Sequence, residues 1–411
     1  MIRKIASERL RPGMYIHELG GSWMSHPFWR NRFAVRSDDD VQRIIDAGIE
    51  EVYIDTARGA DDGHAVDEPE VREQLVKEMA AASAITAPPV KQKEKESWEP
   101  VPVSAELKRA REVHGQAHRA VHDVMRDVRM GRAISTDAVS EVVDTITGSI
   151  MRSPSALIGM VGLKSKDDYT FLHSVSVGTL LVAFGRTLGL DPDTLNELGT
   201  GGLLHDVGKM KVPNEILNKP GRLTDAEFDI IKRHPVDGHA VLVENGGVGD
   251  IPLDITRHHH ERKDGTGYPD RQTDAEISRF AKMAAIVDVY DAITADRCYH
   301  KAMEPTDALR KMWEWSAQHF DRELLQVFMK CIGIYPIGSL VRLESGLIGV
   351  VVEQNPGSLL TPKVKTVYHS KSMRHVSPSI LDLSKADDKI ASTETAGRWP
   401  VDPEVHIRGD A

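Results

Sequence analysis

The feature that most constrains this fold is a long stretch, residues 150–335, that has a helical pattern yet carries histidines and aspartates within apolar runs. Glycine and proline mark the loops between its helices. His205 and Asp206 follow GGLL, and Asp288 lies within AAIVDV. Because burying an unpaired carboxylate costs several kcal/mol, Asp288 needs a partner inside the fold. The stretch therefore predicts a mainly α domain with polar groups in its interior.

The polar residues of this stretch belong to the types that bind transition metals. Imidazole and carboxylate groups are ligands for Mn, Fe and Zn. Taken singly, each residue also has a structural explanation, such as a hydrogen-bonded core histidine, a helix-end histidine before proline or a solvated helix face. Several such explanations would have to hold within one helical stretch, so a metal site explains the pattern better. The candidates are His173, His205, Asp206, His234, His258, His259, His260 and Asp288.

Positive charge accompanies these candidate ligands. Lys209 lies four residues after His205, which on a helix is the same face one turn on. Arg297 and Lys301 follow the helix predicted over IVDVYDA. A cationic pocket beside metal ions is what hydrolysis of a phosphodiester requires. Lys209, Arg297 and Lys301 are therefore candidates for binding an anionic substrate.

Changes of pattern divide the rest of the chain. SDDD at Ser37–Asp40 predicts a helix start, and EEVYIDT at Glu50–Thr56 alternates like a strand. SLVRLESGLIGVVVEQNPGSLLTPKVKTVY, from Ser339 to Tyr368, shows the alternation and turns of a small β unit. The predicted segments are a small α+β domain at 1–58, a charged, Pro- and Ala-rich linker at 59–103 with a short helix at Pro69–Ala82, connecting helices at 104–149, the helical domain at 150–335, a small β unit at 336–380 and a polar, poorly ordered tail at 381–411.

An apolar stripe runs along the helix predicted over residues 105–130. Its members recur at spacings of three or four. The stripe fits a helix that packs on its own domain, and it also fits a helix-on-helix contact in a homodimer. The members are Leu107, Ala110, Val113, Ala117, Val121, Val124 and Val128.

Composition limits the classes of partner and compartment. The net charge of −10 works against non-specific binding of DNA or acidic membranes, although a local basic pocket can still take a small anion. The two cysteines, Cys298 and Cys331, form no disulfide framework and suit a reducing cytoplasm. We expect no signal peptide, and no run reaches the ~18 apolar residues of a transmembrane helix.

Four motifs in order resemble the HD-GYP family, a branch of the HD-superfamily metal-dependent phosphohydrolases. They are HDVGK (His205–Lys209), KRHPVDG (Lys232–Gly238), HHERKDGTGYP (His259–Pro269) and DVYDAITADRCY (Asp288–Tyr299). Residues 1–58 also resemble the small domain often found before an HD-GYP unit. The resemblance implies an HD-type helical bundle that hydrolyses cyclic di-GMP, a bacterial second messenger, to linear pGpG and possibly to GMP.

The resemblance also implies a ligand set and a mechanism. Asp206 bridges two ions, Fe or Mn, which hold the attacking hydroxide. One ion takes His173, His205 and Asp288, and the other takes His234, His259 and His260; His258 falls outside the pattern. Two ions are expected because family members with three carry a glutamate where this chain has Tyr169. Lys209 and Arg297 neutralise phosphoryl charge, while Gly267 and Tyr268 bring the loop to the substrate or to a partner.

Two other functions compete with this interpretation. The domain could be a receptor that binds cyclic di-GMP, or that docks a GGDEF-domain protein, with little turnover. Docking would use the loop from Glu261 to Gln272 that contains Gly267, Tyr268 and Pro269, which we call the GYP loop. The complete ligand set argues against a pure receptor. An HD hydrolase acting on another nucleotide is the third possibility, and the GYP loop argues against it.

Overall fold

The computed structural model describes residues 1–19, 32–83, 98–161, 169–221, 223–295, 302–355, 357–395 and 397–408. These residues form two compact units. The first comprises Met1–Ala82 together with Trp313–Trp315, and the second comprises the rest of the described chain.

The first unit is a five-stranded antiparallel sheet with two helices, as the sequence predicted for an α+β domain. In chain order it contains β1 (Ile2–Ala6), β2 (Tyr15–Leu19), β3 (Phe33–Ala34), α1 (Asp38–Asp46), β4 (Glu51–Asp55), β5 (Val66–Asp67) and α2 (Glu68–Ser83). The strand order is β3-β2-β4-β1-β5. Ser37 caps α1 as predicted, because its hydroxyl accepts the N–H of Asp40 at 3.3 Å.

This unit continues beyond the expected boundary at residue 58. Strand β5 pairs with β1, and α2 corresponds to the short helix predicted at Pro69–Ala82. Arg3 holds the continuation in place through Asp61 at 2.6 Å and Asp67 at 2.8 Å. These contacts join residues far apart in sequence, so a local change of composition at residue 59 gave no sign of them.

The second unit is built on helices, which pack around a large hydrophobic core. The helices are α3 (Val103–Arg129), α4 (Thr136–Arg152), α5 (Pro154–Val161), α6 (Tyr169–Thr187), α7 (Pro192–Leu204), α8 (Asn214–Leu217), α9 (Asp225–Ile231), α10 (His234–Asn245), α11 (Asp250–His258), α12 (Arg279–Ile293), α13 (Pro305–Trp315) and α14 (Arg322–Ile332). A short 3-10 helix at Val207–Lys211 follows α7. Among the described residues, no helix combines the length and the apolar character needed to cross a membrane.

The apolar stripe of α3 packs inside its own chain. Ala110, Val113 and Ala117 are at most 4% exposed, and the stripe belongs to the same core as α4, α5 and α6. This outcome matches the interpretation of α3 as a helix packed on its own domain. The buried members of the stripe are therefore not available for the homodimer contact that residues 105–130 also suggested.

A second five-stranded antiparallel sheet follows the helices. Its strands are β6 (Leu340–Leu343), β7 (Leu347–Asn355), β8 (Ser358–His369), β9 (Arg374–Asp382) and β10 (Ile390–Glu394), in the order β10-β6-β7-β8-β9. One face carries Ile348, Val350 and Val367 into the core of the helices. The β unit predicted from the alternating pattern is thus present, and it packs on the helical domain.

The described residues after 381, which are 382–395 and 397–408, include a strand and a helix where the sequence predicted a poorly ordered polar tail. Strand β10 pairs with β6, and a final helix, α15 (Pro403–Arg408), buries Ile407 in the core. Glu394 explains this order, since it is 3% exposed and accepts Arg342 at 2.8 Å and Trp399 at 2.9 Å. A buried carboxylate with these donors fixes a segment whose own sequence is mostly polar.

Candidate metal centre

The ends of the helices in the second unit bring the predicted ligands together. His173 lies on α6, while His205 directly follows α7 and is succeeded by Asp206. His234 is the first residue of α10, and His259 directly follows α11. Helix ends suit this task because their backbone carbonyls remain free to orient an imidazole ring.

The first cluster consists of His173, His205 and Asp206. Its three members are at most 2% exposed. The two Nε2 atoms of the histidines lie 3.3 Å apart, and Oδ2 of Asp206 lies 3.4 Å from Nε2 of His205. Asp288 joins them from α12, with Oδ1 3.0 Å from Nε2 of His173.

The second cluster consists of His234, His259 and His260. The Nε2 atoms of His234 and His259 are 3.2 Å apart, and both residues are 1% exposed. The ring centroids of His259 and His260 lie 4.1 Å apart. Nδ1 of His260 also lies 3.8 Å from Oδ2 of Asp288.

Asp206 lies between the two clusters. Its Oδ2 faces His173 at 3.6 Å, and its Oδ1 faces His234 at 3.3 Å and His259 at 3.9 Å. Each carboxylate oxygen therefore points towards a different pair of imidazoles. This arrangement suits a carboxylate that binds two cations, one with each oxygen.

The Nδ1 atoms of the buried histidines contact oxygen acceptors. His205 contacts the carbonyl of Gly202 at 2.8 Å, His234 contacts that of Ile231 at 2.8 Å, and His259 contacts that of Ile255 at 3.1 Å. An Nδ1–H that donates to such an acceptor leaves the Nε2 lone pair free for a cation. The rings thus have the orientation of metal-binding histidines, and their contacts favour the tautomer with the proton on Nδ1.

A divalent cation fits this set of atoms better than an empty cavity does. Paired Nε2 lone pairs at 3.2–3.3 Å repel one another unless a proton or a cation lies between them. Oδ1 of Asp206 is buried, and among the described residues it has no hydrogen-bond partner. Nitrogen and carboxylate ligands of this kind suit Mn, Fe or Zn. The residues therefore fit the divalent metals that the sequence resemblance implies.

The pKa shifts in the centre favour the protonation states in which most of these groups can bind a cation. Burial lowers the pKa of His205, the pKa of His259 and, to about 3, the pKa of His260. Burial opposes ionisation of Asp206, yet Lys209 and the neighbouring histidines hold the pKa of its carboxyl well below the usual range. The imidazoles are therefore neutral and the carboxylate is charged, as metal binding requires.

His173 behaves differently from the other histidines. Burial alone would lower its pKa, but Asp288 and Asp291 outweigh burial and raise it. Nδ1 of His173 lies 2.7 Å from Oδ2 of Asp291, which is 1% exposed. The two carboxylates therefore favour the protonated form of the His173 imidazole, in contrast to the other buried histidines.

Of the predicted substrate-binding residues, Lys209, Gly267 and Tyr268 are described by the structure, whereas Arg297 and Lys301 are not. Nζ of Lys209 lies 2.5 Å from Oδ2 of Asp206, at the edge of the first cluster. The ring of Tyr268 packs on His260 with centroids 4.7 Å apart, and a side chain at Gly267 would meet the backbone of Glu261. Arg297, Lys301 and the side chain of Tyr169 lie outside the described residues.

Sequence reasoning did not single out two buried carboxylates near the centre. Asp291 holds His173, and its position three residues after Asp288 on a helix was the available signal. Glu261 follows His260 and accepts backbone N–H groups of the GYP loop. His258 lies outside both clusters, as the motif implied, and contacts Asp254 at 2.7 Å.

Comparison with known proteins agrees with this geometry. A family model described as an HD domain matches residues 158–324, and a model described as a domain of unknown function, DUF3391, matches residues 2–139. Cyclic di-GMP phosphodiesterase PA4108 of Pseudomonas aeruginosa is 43% identical over 402 residues, which span 97% of this chain and 94% of that protein.

Two relatives from Vibrio cholerae match a smaller part of the chain. The 3'3'-cGAMP-specific phosphodiesterase 1 is 34% identical and covers 40% of this chain and 38% of that protein. A cyclic di-GMP phosphodiesterase is 32% identical and covers 47% of this chain and 42% of that protein. The near full-length match to PA4108 and the HD match show that the chain belongs to the HD-GYP family, and its HD domain follows a DUF3391 domain.

Proposed function

We infer that this chain is a cyclic di-GMP phosphodiesterase. The observation that carries the inference is the 43% identity to PA4108 over nearly the whole of both chains, combined with a metal centre whose ligand types are complete. The complete centre also argues against the receptor alternative, because binding without hydrolysis would not require these buried ligands.

We propose that the centre holds two divalent ions, Fe or Mn. His173, His205 and Asp288 would hold one ion, His234, His259 and His260 would hold the other, and Asp206 would bind both. The opposite directions of the two Asp206 oxygens support this division. When bound, such ions lower the pKa of a water molecule and stabilise the charge that develops on a phosphodiester.

The chain's own residues would then position the substrate. Lys209 is 24% exposed at its side chain, so its ammonium can reach both Asp206 and a phosphoryl oxygen. Arg297 and Lys301 would add positive charge, and their proposed role rests on the sequence motif. Tyr268 and Gly267 would form the wall of the site beside His260. A cationic wall suits a dianionic cyclic dinucleotide.

The proposed product and protein partner rest on the resemblance of the sequence motifs to the HD-GYP family. We propose linear pGpG as the product, with GMP as a possible second step, because two ions rather than three are expected beside Tyr169. The GYP loop would be the place for a GGDEF-domain protein to dock. The cysteine content supports a cytoplasmic location, where a cyclic dinucleotide messenger would be met.

A turnover assay tests the proposal. Protein purified without oxygen is reconstituted with Mn(II) or Fe(II), given cyclic di-GMP or 3'3'-cGAMP, and the products are separated by chromatography. We expect cyclic di-GMP to be converted to pGpG and to be preferred over 3'3'-cGAMP. Asp206→Asn should abolish turnover. Asp191→Asn, which keeps a capping side chain at the far end of α7, should not.

Two results would overturn the proposal. Tight binding of cyclic di-GMP without turnover, with every metal tried, would make the chain a receptor. Faster hydrolysis of 3'3'-cGAMP would assign the site to a different cyclic dinucleotide.

A further inference from the structure

Glu261 is a buried carboxylate in the motif His259–Pro269, and it has no part in the proposed metal binding or hydrolysis. It directly follows His260, yet it is 3% exposed and lies in neither metal cluster. Its Oε1 accepts the N–H groups of Asp270 at 2.6 Å and Arg271 at 3.1 Å, and its Oε2 accepts the N–H of Gln272 at 3.1 Å. Both oxygens therefore bind the backbone at the far end of the GYP loop.

The backbone that receives Glu261 has the shape of an anion-binding concavity. Three consecutive N–H groups point to one carboxylate, and Arg271 has a φ of 55°. A residue with a side chain rarely adopts this left-handed conformation, because it brings Cβ close to the following carbonyl. Successive N–H groups around such a residue form a nest for an anion, and here the anion is Glu261.

The GYP loop starts at Glu261 and also returns to it. A Cβ at Gly267 would lie 2.5 Å from the Cα of Glu261 and 2.4 Å from the backbone nitrogen of Arg262, so the loop passes directly over this backbone. The next residue, Tyr268, donates its N–H to the carbonyl of His260 at 3.2 Å. Its ring packs on the His260 ring. The position of Tyr268 therefore depends on how the loop closes.

The base of the loop is also fixed from the other side. The Asp270 carboxylate binds Arg257 through two contacts, at 2.7 and 2.9 Å, and His258 at 3.1 Å. Both partners lie in the last turn of α11, directly before His259. Glu261 and Asp270 thus tie the two ends of the loop to the helix that leads into the second cluster.

We propose that Glu261 is a positioning residue that closes the GYP loop and sets Tyr268 against His260 at the substrate side of the centre. It acts through the backbone at residues 270–272, and it neither binds a metal ion nor carries a proton. The proposal rests on the proposed function for its kinetic consequence, and its structural consequence can be measured without turnover.

The test uses the full chain and the variant Glu261→Gln. A carboxamide offers one acceptor oxygen, so at least one N–H group of the nest loses its partner. We expect amide hydrogen exchange at residues 270–272 to accelerate at least about tenfold, while the metal count stays at the wild-type value. KM for cyclic di-GMP should rise about tenfold with kcat changed less than about threefold, and the pH profile of kcat should keep its shape.

Glu394→Gln is the matched control. Glu394 is equally buried and multiply hydrogen-bonded, but it lies on β10. This variant should leave the exchange of residues 270–272 and KM unchanged. If it moved them as much as Glu261→Gln does, the effect would be a general loss of stability and the proposal would fail.

A second pair of variants tests the nest if Glu261→Gln does not fold. Arg271→Val places a β-branched residue at φ 55° and should reproduce the faster exchange and the higher KM, whereas Arg271→Gly should keep both near wild type. Loss of metal in Glu261→Gln would make Glu261 a ligand, and loss of one limb of the kcat profile would make it a proton carrier. Either result overturns the proposal. A wild-type protein without turnover would overturn the proposed function alone, because exchange and metal count would still test Glu261.

Discussion

Removing the carboxylate of Asp291 should weaken metal binding although Asp291 itself lies in neither cluster. Oδ2 of Asp291 lies 2.7 Å from Nδ1 of His173, and both residues are nearly fully buried. The contact orients the ring so that its Nε2 faces Asp206 and Asp288. In Asp291→Ala the imidazole loses this orientation and some of its basicity.

The expected magnitude follows from the contact. A hydrogen bond to a charged group contributes about 1.5–3 kcal/mol, and about 1.4 kcal/mol corresponds to a factor of ten in an equilibrium constant. Asp291→Ala should therefore weaken binding of the ion at the first cluster by about 10–100-fold, which agrees with the usual effect of residues that support a ligand. The second cluster, which has its own carbonyl acceptors, should keep its affinity.

The chain contains a matched control for this measurement. Oδ1 of Asp254 contacts Nδ1 of His258 at the same distance, 2.7 Å, but His258 lies outside both clusters. Competition between the metal-free protein and a fluorescent chelator gives the Mn(II) affinity of Asp291→Ala and of Asp254→Ala. Circular dichroism establishes that each variant is folded. A folded Asp291→Ala protein with wild-type affinity would refute the reasoning, as would an equal loss in Asp254→Ala.

Three further expectations follow from the same geometry. Burial lowers the pKa of His259 and, to about 3, that of His260, so an unfolded chain takes up protons below about pH 6.5 that the metal-free fold does not. Stability should fall as the pH drops below about 6.5, with a slope of up to about 1.4 kcal/mol per pH unit for each proton that the fold excludes; equal denaturant midpoints at pH 6.5 and 5.5 would count against this. Gly267→Ala puts a Cβ 2.4 Å from backbone and should raise KM, whereas Gly265→Asn, at φ 73° with open space, should not; equal kinetics would contradict the close approach. Arg129 on α3 donates to the backbone carbonyl of Val212 at 2.6 Å, just downstream of His205 and Asp206. Arg129→Met should therefore lower kcat several-fold with metal retained, and Arg129→Lys should recover part of the lost kcat. An unchanged kcat in Arg129→Met would rule this out.

The parts of the fold that local sequence determines were predictable. Ser37 caps the helix that SDDD predicted, and the alternating run from Ser339 to Tyr368 forms β6, β7 and β8. The HD pair and the histidine motifs could be predicted because each is a short run of residues with an unusual composition for an apolar helix. Their order along the chain then indicated the family.

Features that depend on distant contacts were not predictable in this way. Asp291 acts on His173, which lies 118 residues earlier, and its spacing of three residues from Asp288 does not reveal that partner. Glu394 orders the end of the chain through Arg342, 52 residues away. Glu261 stands beside the histidines in sequence, yet its carboxylate serves the backbone of the loop. The residue type indicated which interactions each of these carboxylates could make, and the contacts in the folded chain show which ones it makes.

The most direct test of the account is the position of the ions around Asp206. A crystal of the protein reconstituted with Mn(II), measured at the wavelength of the manganese edge, locates them by anomalous scattering. The account predicts two peaks about 3.5–4 Å apart, one beside His173 and His205 and one beside His234 and His259, with Asp206 between them. A single peak, or a peak bound by Glu261, would contradict it.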